Sequence, residues 1–214
     1  NMVSIRLLQA IGPWLGQEWI ARFGFDADKH PAYLTMALGA GAVTPMQMAQ
    51  AYAVIANGGW LLPSVLVERI TDAQGKVLFE APKPAALAED TRAIPARNAY
   101  LTASLLGGVT KSGTAARVQQ QLKRSDLYGK TGTTNDAVDA WFAGFQPSVV
   151  AVAWMGYGEP KSLGERETGG GLALPIWIDY MSNALKGVPV ATLAPPAGLM
   201  KSGGWLWVAG SEPR

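Results

Sequence analysis

The sequence predicts an α+β fold, and three observations predict it. Helix-period apolar patterns occupy most of residues 2–123, and aromatic and β-branched runs joined by short links occupy 127–157. A last helical pattern follows at 172–186. The links between the strand-like runs are too short for a crossover helix, so those strands run antiparallel, with helices before and after them.

Residues 2–23 carry Leu7, Leu8, Ile11, Leu15 and Phe23 at helical spacing. Gly12-Pro13 divides this stripe, predicting two helices with Pro13 in the first turn of the second and Gly24 as the stop. In "VTPMQMAQAYAVIANGG", Thr44 is an N-cap, Pro45 the first helical residue and Gln47 the reciprocal partner of a capping box. Met48, Ala49, Tyr52, Ile55 and Ala56 then face a core, and Asn57-Gly58-Gly59 ends the helix. "LLPSVLVERITDAQGKVLFEAP" reads as two short strands around a polar turn at Gly75. Residues 81–96, with Pro82, Pro84 and Pro95, form a surface connection. Helices are expected over 96–108 and 114–123, and strands over 127–134, 138–146 and 148–157. The helix at 172–186 directs Leu174, Trp177, Ile178, Met181 and Leu185 to one face, with Gly187 as its cap. Residues 188–214 read as a tail whose "GWLWV" docks on the body, pairs at an edge or meets a partner, docking being preferred.

Composition removes several chemistries. The 214 residues are 49% hydrophobic with eight tryptophans, which makes the chain globular. A net charge of +2 without a basic stripe gives no footprint for nucleic acid. No run reaches the roughly 18 apolar residues of a membrane span. With no cysteine and a single histidine, neither a thiol nucleophile nor a metal centre is expected, and no cofactor is implied. His30, in "DADKHPAY", reads as a surface loop residue rather than a catalytic base. The apolar pattern begins at once and position 1 is not Met, so the chain reads as a piece of something longer.

"DLYGKTGTTNDAVDAWFAGF" contains the Gly-Lys-Thr that closes a phosphate-binding loop. That loop needs a glycine five residues earlier, where Arg124 stands, and a helix afterwards, where "GTTND" stands. Read as a strand, the segment puts Thr131 and Thr133 on one face and Lys130 and Thr134 on the other. Gly132 lets a second extended backbone come close. Two hydroxyls two residues apart beside an ammonium suit a carboxylate, whereas a plain reading is a soluble edge strand. Lys111-Ser112-Gly113-Thr114 repeats the pattern, but "AARVQQQLK" after it is helical, which makes Thr114 an N-cap and leaves Lys130 as the site lysine.

Lys-Thr-Gly belongs to the motif set of β-lactamases and penicillin-binding proteins. Lys130-Thr131-Gly132-Thr133-Thr134 with "NDAVDAWFAGF" and "VVAVAWMGYG" resembles the active-site strand and its neighbours in the transpeptidase domain of bifunctional (class A) penicillin-binding proteins. "LGAGAVTPMQMAQAYAVIANGG" and "GGGLALPIWIDYMSNAL" resemble two of that family's helices, in the family's order. The resemblance covers residues 1–187 as the C-terminal portion of the domain, and leaves 188–214 as a tail. It implies a β-lactamase/transpeptidase-like antiparallel sheet with flanking helices, incomplete because the N-terminal part is absent. By the same resemblance, Thr131 and Thr133 hold the terminal carboxylate of a stem peptide ending in D-Ala-D-Ala, or of a β-lactam antibiotic. Gly132 and Thr134 on the same strand are also expected to bind substrate, the Thr133 N–H supplies an oxyanion donor, and Lys130 sets the local electrostatics. Asn1 would be the last residue of a Ser-x-Asn element and contact the substrate amide.

No serine in the sequence has a lysine three residues on, and no complete Ser-x-Asn is present. The nucleophile implied by the family would therefore lie in an upstream segment of the same protein, whether continuous with this chain or supplied as a separate one, and this chain alone is expected to be inert. The family implies anchorage at the periplasmic face of the bacterial inner membrane by an absent N-terminal segment. Two other functions fit the same scaffold: a D,D-carboxypeptidase or β-lactamase that passes the acyl group to water, and a β-lactam-sensing binding domain. For the remaining polar residues, Asp136 and Asp139 read as turn and strand-start residues, Trp141 and Phe145 as core, and Glu165, Arg166 and Glu167 as a solvated loop.

Overall fold

The computed structural model describes residues 1–83, 86–165 and 167–211, so Pro84 and Arg166 lie outside the described residues. Helices α1 (Met2–Ile11) and α2 (Pro13–Ile20) break at Gly12, whose φ of 99° suits glycine. The expected apolar stripe is present but not buried: Leu7 and Ile11 are each 58% exposed. α1 and α2 meet a 3₁₀ turn at Leu34–Leu38 around Gly16, where a side chain would strike Leu8 and Met36. Helix α3 (Pro45–Ala56) begins with the capping box: the Thr44 hydroxyl accepts from Gln47 N (3.2 Å), and Gln47 Oε1 accepts from Thr44 N (2.9 Å). Its most buried residues include Ala51 and Val54 beside Ile55 and Ala56, so the buried face is wider than the pattern suggested. Strands β1 (Arg69–Thr71) and β2 (Val77–Glu80) form an exposed hairpin around Gly75.

Helices α4 (Ala96–Ser112) and α5 (Arg117–Leu122) precede the central sheet of β3 (Tyr128–Thr133), β4 (Asp139–Gln146) and β5 (Val149–Gly156). The strands lie in the order β3-β4-β5, all antiparallel. Register assigns the two faces. Thr131 opposite Phe142 and Thr133 opposite Ala140 share the face that packs on α6 (Leu174–Ala184), where Phe142 meets Trp177 edge-on at 4.9 Å. Ala115, just before α5, and Val118 within it join that core. Lys130 opposite Ala143 and Gly132 opposite Trp141 share the other face with Tyr128 and Phe145, which stack at 4.9 Å against Ile55, Ala56 and Ala103. The sheet is thus a middle layer between α6 and the α3–α4 pair, the α+β arrangement expected. Leu174, Trp177, Ile178, Met181 and Leu185 are all buried, as the helical spacing required.

Three expectations need correction. Thr114 is not an N-cap: Gly113 N and Ala115 N both donate to Val109 O, holding the chain in a turn until α5 starts at Arg117. His30 is not a surface residue. A 3₁₀ turn at Ala27–Lys29, capped by Asp26, folds it under, 8% exposed, against the Phe25 ring and Gly41. The segment after α6 is two pieces rather than one tail. Val188 and Pro189 carbonyls accept from Arg124, and Ala191 N donates to Asp126. Only then does the chain form its own hairpin, β6 (Leu199–Ser202) with β7 (Trp205–Val208).

Candidate active site

Among the described residues β3 is an edge strand, paired with β4 on one side only. Its start is clamped to α4: Thr110 Oγ1 donates to the Leu127 carbonyl at 2.6 Å, and Gly107 lies against the Tyr128 ring. Beyond that clamp the strand carries Lys130, Thr131, Gly132 and Thr133 outward, with Lys130 and Thr133 exposed and the other two half-buried. Lys130 Nζ donates to the Thr131 carbonyl at 2.9 Å and reaches Thr131 Oγ1 at 3.4 Å. Among the described residues Lys130 forms no ion pair, so its charge is uncompensated beside the Thr131 hydroxyl.

The hydroxyls have distinct settings. Thr133 Oγ1 accepts from the Gly169 N–H at 3.0 Å, which leaves its own proton free to donate. Gly169 is buried against the sheet, where a Cβ would run into the Trp141 and Gly132 carbonyls. It opens the π-helical turn Gly169–Ala173 that leads into α6, capped by Thr168, whose hydroxyl accepts from Gly171 N. The Thr131 hydroxyl lies 3.0 Å from that of Thr114. Thr134 stands differently: its Oγ1 accepts from Asp139 N at 2.8 Å and closes the β3–β4 turn. That turn carries positive φ at Asp136 (59°) and Ala137 (50°), conformations that cost non-glycine residues about 1–2 kcal/mol. It is pinned by Ser162 Oγ donating to Asp136 O and Leu163 N donating to Ala137 O, both at 2.8 Å. Asp139, at the head of β4, accepts from Trp154 Nε1 at 2.8 Å, and Trp141 lies beside Trp154 at 5.9 Å. Asn1 is joined to this cluster by no described hydrogen bond; it flanks α1, and its carbonyl accepts from Ile5 N.

The strand thus offers an anion a fixed ammonium and two hydroxyls on a rigid edge, and a peptide an extended backbone to lie along. The nearest buried charge is structural. Asp126, fully buried just before β3, accepts from Arg124 (3.0 and 2.8 Å), Gln146 Nε2 (3.0 Å) and Ala191 N (2.9 Å). Burial alone would raise its pKa, but these hydrogen bonds outweigh it and hold the carboxyl below its ordinary range. Sequence reasoning missed Thr114 and Gly169. The triple glycine at 169–171 was the available signal, since a buried glycine before a helix marks close backbone approach.

The model of the penicillin binding protein transpeptidase domain matches residues 1–181. The chain belongs to the penicillin-binding protein transpeptidase family. Among curated relatives, "Penicillin-binding protein 1A" of Neisseria flavescens is 43% identical over 97% of this chain and 26% of its own length. The protein of that name from Pseudomonas aeruginosa is 40% identical over 94% of this chain and 30% of its own length. Among solved structures, penicillin-binding protein 1A of Haemophilus influenzae superposes with a TM-score of 0.92 at 34% identity, covering 100% of this chain and 39% of that one. PonA1 of Mycobacterium tuberculosis in complex with penicillin V gives a TM-score of 0.65 at 27% identity, covering 86% of this chain and 48% of that one. The chain spans about a quarter of the length of the curated relatives it matches. The family's sheet is present with helices on both faces, as the resemblance implied.

Proposed function

We propose that this chain supplies the carboxylate-binding part of a serine-type D,D-transpeptidase that cross-links peptidoglycan stem peptides and is acylated by β-lactams. One observation supports the reading: the edge strand Lys130–Thr133 presents an ammonium that forms no ion pair among the described residues, held by the strand's own Thr131 carbonyl, and two hydroxyls each met by a neighbouring element. A donor peptide ending in D-Ala-D-Ala lies along β3, its terminal carboxylate on Thr131 and Thr133. Gly132 permits the close approach, and the Thr133 N–H helps to stabilise the oxyanion, a term worth about 2.7–4 kcal/mol per donor. Lys130 steadies the negative charge and tunes the proton chemistry beside it. Asn1 contacts the substrate amide, while Thr134 contributes by shaping the end of the strand.

The serine that attacks the carbonyl is absent from this sequence, which holds no Ser-x-x-Lys. It lies in a part of the polypeptide upstream of this chain, on the periplasmic face of the bacterial inner membrane. Without it no acyl-enzyme forms, because covalent catalysis needs an activated nucleophile. A fluorescent penicillin tests this. The full-length polypeptide takes up a lasting covalent label and the 214-residue chain takes up none. A label on the isolated chain contradicts the reading, and rapid loss of label from the full-length protein favours a hydrolase over a transpeptidase.

A further inference from the structure

The Thr114 hydroxyl, set aside by sequence as part of a decoy motif, lies 3.0 Å from Thr131 Oγ1 although 17 residues separate the two. Its position is not loose. Gly113 before it is pressed on Val109, where a Cβ would come within 2.9 Å of the Val109 Cα, and Ala115 after it is fully buried in the core under α6. Gly113 N and Ala115 N both donate to Val109 O, at 3.1 and 3.2 Å. The third side of the contact is Gly170, whose missing side chain would point at the Thr114 carbonyl (3.6 Å) and at Thr131 Cγ2 (3.9 Å). Three segments distant in sequence therefore meet at the Thr114–Thr131 pair.

A threonine hydroxyl has a single proton. For Thr131 to donate that proton to a carboxylate, its contact with Thr114 must run the other way, with Thr114 donating and Thr131 accepting. Lys130 Nζ, 3.4 Å from the same oxygen, also points a donor at it. With its lone pairs engaged by Thr114 and Lys130, the Thr131 hydroxyl is left to donate outward. Thr133 is treated alike by a different element, since its oxygen accepts from the Gly169 N–H. We infer that Thr114 is a positioning residue that orients the Thr131 hydroxyl as a donor to the substrate carboxylate. This rests on the carboxylate-binding reading of β3 given above.

The test is the second-order acylation constant of the full-length polypeptide with a fluorescent penicillin, measured for Thr114→Val, Thr114→Ser, Thr131→Val and the Thr114→Val/Thr131→Val double variant, with a thermal melt of each. Thr131→Val, which loses a hydrogen bond to a charged group, is expected to acylate about tenfold to a hundredfold more slowly. Thr114→Val, which loses a neutral one, is expected to acylate about threefold to tenfold more slowly, with its melting temperature unchanged. Thr114→Ser restores the wild-type rate, and the double variant is no slower than Thr131→Val alone. If Thr131→Val is slow and Thr114→Val is not, the inference falls and the carboxylate site stands. If Thr131→Val itself acylates normally, the carboxylate reading falls and takes the inference with it. Additive losses, a lowered melting temperature in Thr114→Val, or no rescue by serine show Thr114 to be structural and also overturn it.

Discussion

Replacing Gly169 by alanine isolates the brace behind the strand. The substitution adds one methyl at a buried point where backbone stands on two sides, the Trp141 and Gly132 carbonyls, with Gly132 N at 3.2 Å. To restore ordinary contact at 3.4 Å, the loop must retreat from the sheet by about 1 Å, because neither strand backbone can turn aside as a side chain would. Gly169 lacks the positive φ that would strain alanine by itself, so the cost is steric. Overpacking of this kind costs about 1–3 kcal/mol. The same retreat lengthens the 3.0 Å bond from Gly169 N to Thr133 Oγ1 beyond hydrogen-bond range. A misplacement near 1 Å at a binding group lowers turnover by up to about a hundredfold. In the full-length polypeptide, Gly169→Ala is expected to acylate with a fluorescent penicillin about tenfold to a hundredfold more slowly and to melt earlier. Serine should be no better, since it carries the same Cβ. An unchanged acylation rate together with an unchanged melt refutes the reasoning, because the loop would then not be holding the strand.

Asp126→Ala takes the carboxylate from the nearly buried Arg124 guanidinium (13% exposed), which keeps only the Val188 and Pro189 carbonyls, leaves the Ala191 N–H without its acceptor, and should cost about 3 kcal/mol in a denaturant melt. Because the Asp126 carboxyl titrates below its ordinary value when folded, its contribution is complete above about pH 4, where the unfolded group ionises, and is lost as pH falls through the folded value. The stability of the wild type should fall across that acid window, and that of Asp126→Asn should lack this loss. His30 behaves in the opposite chemical sense with the same outcome. Burial lowers its pKa, outweighing the pull of Asp26, so the unfolded chain takes up a proton first and stability falls as pH drops below about 6.5. A His30→Gln variant should remove that slope from melts between pH 7 and 5. Thr44→Ala, which removes the hydroxyl half of the α3 capping box, should lower stability by about 1 kcal/mol without changing acylation.

What could be read from the sequence follows how locally each feature is encoded. The capping box of α3 spans four consecutive residues, Thr44 to Gln47, and the break at Gly12-Pro13 two, so both appear as expected. The buried face of α6 and the three antiparallel strands follow from periodicity and short links, which leave few alternatives. Features depending on distant partners were hidden. Thr114 carries the local signature of an N-cap, and only the fold brings it to Thr131. His30 looks exposed in its own loop and is buried because Gly41 leaves room for its ring. Thr134 shares the hydroxyl pattern of Thr131 and Thr133, yet the turn after β3 directs its oxygen to Asp139. The chain beyond α6 has no helical or strand period until β6, so nothing local foretold its bonds to Arg124 and Asp126.

The most direct measurement is a crystal structure of the full-length polypeptide acylated by a penicillin. The ligand's carboxylate is expected within about 2.5–3.0 Å of Thr131 Oγ1 and Thr133 Oγ1, with its chain extended beside Gly132 and its carbonyl carbon bonded to a serine outside residues 1–214. A carboxylate held elsewhere, with β3 untouched, would contradict the account.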